Sequence, residues 1–419
     1  METRANSTTF RNYLLFFAGQ QVSLLGSSVV QFVVIWWITL ETQSAAYLSI
    51  AALAGLAPMV VLMPLAGVLV DRWSRKLVIF VFDFLQALTT VVLILLFWSG
   101  HISVWLVLLM IALRGVCQAF HSPAVSAIIP LMVPEDKLSR VNGLNYLLNG
   151  AVTMVGPIAG ALLLAFAKIE QILWVDPVTF VVAFVPLLLI GIPSVRSKEE
   201  KSSLSRDFVE GLSFIKKAKG FIPLTTLATA LNFLLAPLST LLPYYVKFDH
   251  LGGVEALAFV MAFLQGGMLA GGLMMSVIKG FKKKIATSVF FVYVVFLGYA
   301  LVALTPAGQF WFMALGGLVI GFAIAPANVL ISVIFQTVVP MKMQGRVNSV
   351  LGSLGSAATP VGMLLSGAVA GFMGTANLFL ACTVSGILIL TFSWLFSEVR
   401  YVDKAEVTCD SKDNDPRVP

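Results

Sequence analysis

Three charged side chains lie inside apolar runs, where charge is costly, and they set the chemistry open to this chain. Arg114 sits about ten residues into the run 103–129, roughly 15 Å deep at 1.5 Å per helical residue. A bare guanidinium there costs at least about 2.5 kcal/mol, so it must face a partner, an interior or a water-filled cavity. Asp83 lies about 9 Å into the run 77–98, again taking 1.5 Å per residue. A carboxylate at that depth is either protonated or close to a cation. Asp83 and Arg114 are therefore expected to act together in proton coupling. Two structural alternatives stand beside that reading: Asp83 pairing with loop cations, and Arg114 pinning helices through backbone carbonyls. Asp176 is a third proton-coupling candidate, placed near the outer end of the run 171–192 and within reach of water. No other chemistry is in prospect. The chain has no G-x-x-x-x-G-K-[ST] phosphate loop, no H-E-x-x-H and no G-x-S-x-G, so neither ATP use nor an enzyme activity is expected. His101, His121 and His250 are scattered, and Cys117, Cys382 and Cys409 have no paired spacing, so no metal or disulfide framework is expected.

Uncharged polar residues form single-face stripes at helical spacing. Gln20, Ser23, Ser27 and Gln31 form one, and Asn142, Asn145 and Asn149 a second. Thr225, Thr229 and Asn232 form a third, and Asn328, Ser332 and Gln336 a fourth. Residues three and four apart share a helix face, so each stripe either hydrogen-bonds a neighbouring helix or lines a cavity. Gln118 shares a face with Arg114 one turn away, and Trp36 and Trp37 add apolar surface. A lining of this kind suits a bulky hydrophobic or amphiphilic ligand better than a sugar or an inorganic ion.

The elements that hold these residues follow from composition. Of 419 residues, 59% are hydrophobic and only 11% charged, against about a quarter charged in soluble chains. The apolar runs fall at 13–40, 44–70, 77–98, 103–129, 140–167 and 171–192, then 221–246, 255–279, 285–305, 309–336, 346–371 and 375–397. Each is long enough, at about 20 residues, to cross a ~30 Å hydrocarbon core. The expected fold is an all-α membrane protein of twelve transmembrane helices. The first run lacks a cleavage pattern and is read as a spanning helix.

A shift of 206 residues lays the segment Arg114–Gly160 on a second copy of itself. Gly115 falls on Gly321, Ser126 on Ser332, Val133-Pro134 on Val339-Pro340, Arg140-Val141-Asn142 on Arg346-Val347-Asn348, and Gly156 on Gly362. The chain thus divides into two pseudo-symmetric six-helix halves, 1–193 and 221–398, joined by a linker at 194–220 and followed by a tail at 399–419. Parallel repeats in a membrane chain belong to transporters that rock one half against the other. With the N-terminus inside, only Lys168, Lys247 and Arg114 among the 27 Lys and Arg fall off the inner loops, ends and linker. That bias places both termini and the linker in the cytoplasm. Within the linker, Leu204, Phe208, Leu212 and Ile215 recur at helical spacing before Lys216, Lys217 and Lys219, which predicts a helix lying along the inner headgroups. The polar tail from Tyr401 is expected to be disordered.

Gly67-x-Leu69-x-Asp71-Arg72-x-x-Arg75-Lys76 is, on its own, a basic topogenic loop with an acid at a helix start. Between the second and third of twelve spans it resembles the signature loop of the major facilitator superfamily, and the resemblance covers the whole chain. It implies that the loop braces one half against the other and helps set the inward–outward equilibrium, with Gly67 permitting close helix approach. The second half keeps Gly272 and Lys282 to Lys284 but no acid. Gly156-Pro157-Ile158-Ala159-Gly160 resembles the family's antiporter motif with Val152 in place of its first glycine. Arg114 resembles the arginine of span four in drug–proton antiporters. The segment from Ala119 to Leu144 resembles the macrolide-efflux and siderophore-exporter branch. That branch implies proton-coupled export of hydrophobic drugs or secreted metabolites across the cytoplasmic membrane, with a proton gradient and no cofactor. The alternatives are a lipid or lysolipid flippase and a membrane sensor that has lost transport. A monomer embedded in the bilayer, with a small amphiphilic substrate and no nucleic-acid partner, is expected.

Overall fold

The computed structural model describes residues 7–191, 204–218, 220–278, 281 and 283–404. The described chain is helical, without a strand. The first bundle contains α1 (Ser7–Thr42), α2 (Ala45–Arg72), α3 (Arg75–Ser99), α4 (Val104–Ser126), the single turn α5 (Ile129–Met132), α6 (Leu138–Phe166), the single turn α7 (Ile169–Ile172) and α8 (Val175–Leu189). Helix α9 (Leu204–Lys217) leads to the second bundle. That bundle contains α10 (Phe221–Tyr244), α11 (Val254–Val277), α12 (Lys284–Ala303), α13 (Phe310–Val338), α14 (Met341–Ala357), α15 (Thr359–Met373) and α16 (Thr375–Phe396). Twelve spans among the described residues are long and apolar enough to cross a membrane, as expected.

Helix packing repeats along with the sequence. In the first bundle α2 and α3 pack on α4, α1 on α6 and α8, and α3 on α8. In the second, α11 and α12 pack on α13, α10 on α15 and α16, and α12 on α16. Two of the repeated glycines show why they recur. A Cβ at Gly115 would overlap the backbone of Gly55 on α2, and one at Gly321 would overlap the backbone of Leu264 and Met268 on α11. Gly156 meets Ser28 of α1 and Gly362 meets Phe233 and Ala236 of α10 in the same way. Small residues let spanning helices close to backbone contact.

The eleventh span is broken, which the continuous run 346–371 does not suggest. Helix α14 stops at Ala357 and α15 restarts at Thr359, because Pro360 has no N–H and crowds the preceding turn. The carbonyls freed by the break are taken up by α10: Thr229 Oγ1 donates to Leu354 O at 3.0 Å and Asn232 Nδ2 to Gly355 O at 3.0 Å.

Two expectations for the ends are corrected. Helix α9 forms where the periodicity places it, but the described part of its apolar face is covered by protein rather than by headgroups. Phe214 and Ile215 are buried in one cluster with Phe221, Val347 and Val350, because α14 and α10 cover that face. The first residues of the linker, 194–203, lie outside the described residues. The tail begins as a short 3₁₀ turn, Glu398–Lys404, not as disordered chain. Val399 and Val402 are fully buried in the same cluster, an apolar gain that outweighs the ordering cost of one turn. Residues 405–419 lie outside the described residues.

The apolar core is divided at one end only. At the end remote from α9, a single cluster runs from Trp36, Ile38 and Leu48 of the first bundle to Leu241, Tyr245 and Phe379 of the second. At the α9 end each bundle has its own cluster, around Tyr13, Phe16 and Ile79 in the first and Phe221, Ile334 and Val347 in the second. The remote seal is direct. Ser49 on α2 and Ser366 on α15 share a 3.0 Å hydrogen bond, and Gly367 sits against Ala45, Ala46 and Ser49 with no room for a side chain.

Candidate functional site

Asp83, Arg114, His121 and Asp176 form two clusters, both in the first bundle. Three hydrogen bonds leave one nitrogen of Arg114. Nη1 donates to Asp176 Oδ2 at 2.8 Å, to Thr90 Oγ1 at 2.6 Å and to Gln86 O at 3.4 Å. Ser27 Oγ donates to the other oxygen, Asp176 Oδ1, at 2.7 Å, and Thr90 also donates to Asp176 Oδ2. The pair thus ties α1, α3, α4 and α8 together with the charges compensated and both carboxylate oxygens occupied, which is the form a buried ion pair needs in order to persist.

Asp83 belongs to the second cluster. Gln20 Nε2 of α1 donates to Asp83 Oδ2 at 3.1 Å. His121 Nε2 of α4 lies 2.9 Å from Asp83 Oδ1 and 3.1 Å from Gln20 Oε1. An ionised carboxylate can only accept, so His121 Nε2 carries the proton in that contact.

The expected Asp83–Arg114 pair is therefore not what forms. Arg114 finds Asp176, which is 3% exposed and does not reach water through the protein. Span six enters through α7 and two turn residues before α8 begins, which carries Asp176 inward to the level of Arg114. His121 is one of three histidines scattered along the sequence, and that spacing does not single it out. The signal that locates it is a pair of matched stripes. Arg114, Gln118 and His121 share a face of α4, and Asp83, Gln86 and Thr90 share a face of α3. Antiparallel packing of α3 on α4 sets Thr90 opposite Arg114 and Asp83 opposite His121.

The uncharged stripes separate into two kinds. In the first bundle Gln20, Ser27, Asn145 and Asn149 are spent on contacts between helices. Ser27 and Gln20 hold the two acids, Asn145 Nδ2 donates to Tyr13 Oη at 3.3 Å, and Gln21 Nε2 donates to Asn149 Oδ1 at 3.2 Å. Gln118 donates to Ser122 Oγ at 2.9 Å, Trp36 is buried in the shared core, and Gln31 is exposed. In the second bundle the stripes face each other. Thr225 and Asn232 of α10, Asn328, Ser332 and Gln336 of α13, and Gln344 of α14 line a cavity of about 530 Å³. Its other walls include Leu224, Ile331, Phe335, Val339, Val347 and Leu351, and among the described residues no charged side chain lines it.

Lys76 Nζ donates to Leu188 O at 2.9 Å and Ile190 O at 2.7 Å, a cation on the last carbonyls of α8. The side chains of Asp71 and Arg72 lie outside the described residues. A Cβ at Gly67 would meet nothing within 4 Å among the described residues, in keeping with the divided core at that end. Gly156 and Gly160 do face a helix, namely Ser28, Val29 and Phe32 of α1, and Pro157 lies within a continuous α6.

The model of the Major Facilitator Superfamily matches residues 16–358. The chain belongs to that superfamily. Its fold and family are those of membrane transporters, as the repeat and the signature loop implied. A macrolide efflux protein A of Streptococcus pyogenes is 28% identical over 397 residues, spanning 93% of this chain and 97% of the relative. The multidrug efflux pump Tap of Mycolicibacterium fortuitum is 27% identical over 383 residues, 88% and 92% of the two chains. Among solved structures, a bacterial homologue of the iron transporter ferroportin in an inward-facing state superposes with a TM-score of 0.70 at 16% identity, over 91% of this chain and 98% of that one. A bacterial homologue of the human lysosomal transporter Spinster, inward-facing and unoccupied, gives 0.68 at 14%, over 96% and 98%. At these identities the structures share the fold alone.

Proposed function

We propose that this superfamily member exports hydrophobic or amphiphilic molecules, macrolides among them, across the cytoplasmic membrane by proton-coupled alternating access. The observation that carries this reading is the amide-rich cavity of about 530 Å³, which has no charged side chain among the described residues that line it. Its size is that of a drug-sized site, and its mixture of aliphatic wall and scattered amides and hydroxyls fits a macrocycle bearing hydroxyl and carbonyl groups. The names of the efflux relatives support the same substrate class. With both termini cytoplasmic, the divided end faces the cytoplasm and the Ser49–Ser366 seal faces outward, so this state is inward-facing and ready to load. Gly67 and the Asp71–Lys76 loop would then act when the α9 end closes. The protein works as a monomer in the bilayer, without enzyme chemistry, cofactor or nucleic acid, driven by the proton gradient.

A second reading has its own observation. On the other side of α10 a crevice of about 700 Å³, lined by Thr225, Thr226, Thr229, Phe233, Leu354, Ser385 and Ile389, lies between α10, the α14–α15 break and α16. An acyl chain would fit that surface, as a lipid flippase requires. Everted membrane vesicles from an efflux-deficient host test the two. Protonophore-sensitive uptake of a radiolabelled macrolide supports export, and movement of a labelled lysolipid without it supports flipping. Absence of both would leave a sensor.

A further inference from the structure

The two buried clusters are not equivalent as proton carriers. Arg114–Asp176 is neutral as a pair, and both Asp176 oxygens already accept hydrogen bonds. A proton added there would displace those bonds and strand the guanidinium, which is costly for a buried charge. Asp83–His121–Gln20 has both carboxylate oxygens occupied as well, but differs in charge. With His121 neutral its net charge is −1, and the Asp83 side chain retains 9% exposure against 4% for Asp176. A negative cluster in an apolar surround is stabilised by water or by one proton.

We propose, building on the export reading above, that His121 and Asp83 form the transported-proton site, with Gln20 as its positioning residue and Arg114–Asp176 as a fixed strut. In the state described, the His121 Nε2–H bond points at Asp83 and Gln20, and the ring's Nδ1 takes the incoming proton. An N–H bond forms, the cluster passes from −1 to 0, and the imidazolium–carboxylate pair tolerates a dry environment. Loss of the same proton restores the −1 state, which favours water and hence an open α9 end. Gln20 carries the change to α1, whose next residue, Gln21, holds Asn149 of α6. The remaining charged or titratable neighbours are Cys117, one turn before His121 and within electrostatic reach of Asp83 and Arg114, and Arg114 itself, compensated by Asp176.

The test uses the full chain in proteoliposomes with radiolabelled erythromycin and a pH-sensitive dye. Exchange of macrolide at equal pH needs no net proton movement, whereas accumulation driven by a pH gradient does. His121→Gln preserves an amide donor toward Asp83 but cannot gain charge. It should keep exchange within about twofold and lose gradient-driven accumulation at least about tenfold. Asp83→Asn should behave alike, and monodispersity and melting in detergent check its folding. Unimpaired uphill accumulation by His121→Gln overturns the assignment and leaves the export reading intact. Wild-type protein showing exchange but no proton flux would instead remove proton coupling from the proposed function, and this site with it.

Discussion

The hydroxyls of Ser49 on α2 and Ser366 on α15 meet at 3.0 Å, joining the two bundles at the end where their cores are continuous. The bond is minor in itself, about 1 kcal/mol. What fixes it is Gly367, one residue on, whose Cα lies against the Ala45–Ser49 backbone and side chains.

Substituting Gly367→Val should therefore wedge the seal open. A cysteine replacing Ser49 would gain reactivity toward an impermeant maleimide in intact cells, and export would fall, since the chain could no longer return to the state that loads. Unchanged labelling and transport in Gly367→Val would mean that the seal lies elsewhere.

The amide-lined cavity predicts a graded loss of affinity. Gln336 and Asn328 are exposed on its wall, so Gln336→Leu and Asn328→Leu remove a polar contact without opening the fold. Each should raise the macrolide KM about tenfold, the effect of roughly 1.4 kcal/mol, with little change in protein yield. Asn232→Leu should cost stability too, because it orphans the Gly355 carbonyl at the helix break.

His250, in the turn between α10 and α11, predicts an acid sensitivity at the remote end. It is buried between the rings of Tyr245 and Phe310. Burial pushes its imidazole below the usual histidine range, against the opposing pull of Asp249 and of the Pro306 carbonyl. A histidine whose folded pKa is depressed leaves stability complete above its unfolded value, about 6.5, and loses it as pH falls toward the folded value. Melting temperature should thus fall between pH 7.5 and about 5.5 in the wild type. His250→Phe should flatten that slope, and an unchanged slope would assign the sensitivity to another group.

Much of this architecture was legible in the sequence because membrane burial leaves few options. Apolar runs of the right length become spans, and glycines repeated at Gly115/Gly321 and Gly156/Gly362 become helix contacts. Which charges pair was not legible. Arg114 had to meet something, but the choice between Asp83 and Asp176 depends on how deep α8 begins, and a hydropathy profile does not carry that depth. The polar stripes share this ambiguity: spacing says that Asn145 and Asn328 each share a face with other polar residues, and only packing says that one bonds Tyr13 while the other borders a cavity. The same holds for Val399 and Val402, two apolar residues in a polar tail whose binding surface is assembled from α10, α12, α13 and α16.

Labelling tests the orientation. Cys117 and Cys382 are buried, so in a Cys409→Ser background a single cysteine at Ser203 or at Gln43 reports one side each. Ser203 should be protected in intact cells and Gln43 reactive. The reverse pattern would invert the membrane orientation and turn the described state outward-facing.

The last prediction concerns the strut. Arg114→Ala leaves Asp176 buried with its charge uncompensated, and Asp176→Asn leaves Arg114 in the same position; each should cost about 3–5 kcal/mol of folded-state stability. Arg114→Ala combined with Asp176→Ala should melt above either single alanine variant, because no buried charge remains. The coupling between the two positions should exceed about 0.5 kcal/mol. Arg114→Lys should retain most of the stability, since all three bonds leave from one nitrogen and an ammonium has three donors. Asp83→Ala combined with Arg114→Ala should be additive, as the two residues belong to separate clusters. Measurable coupling in that second cycle, or simple additivity in the first, would contradict the division of the buried charges into one strut and one proton site.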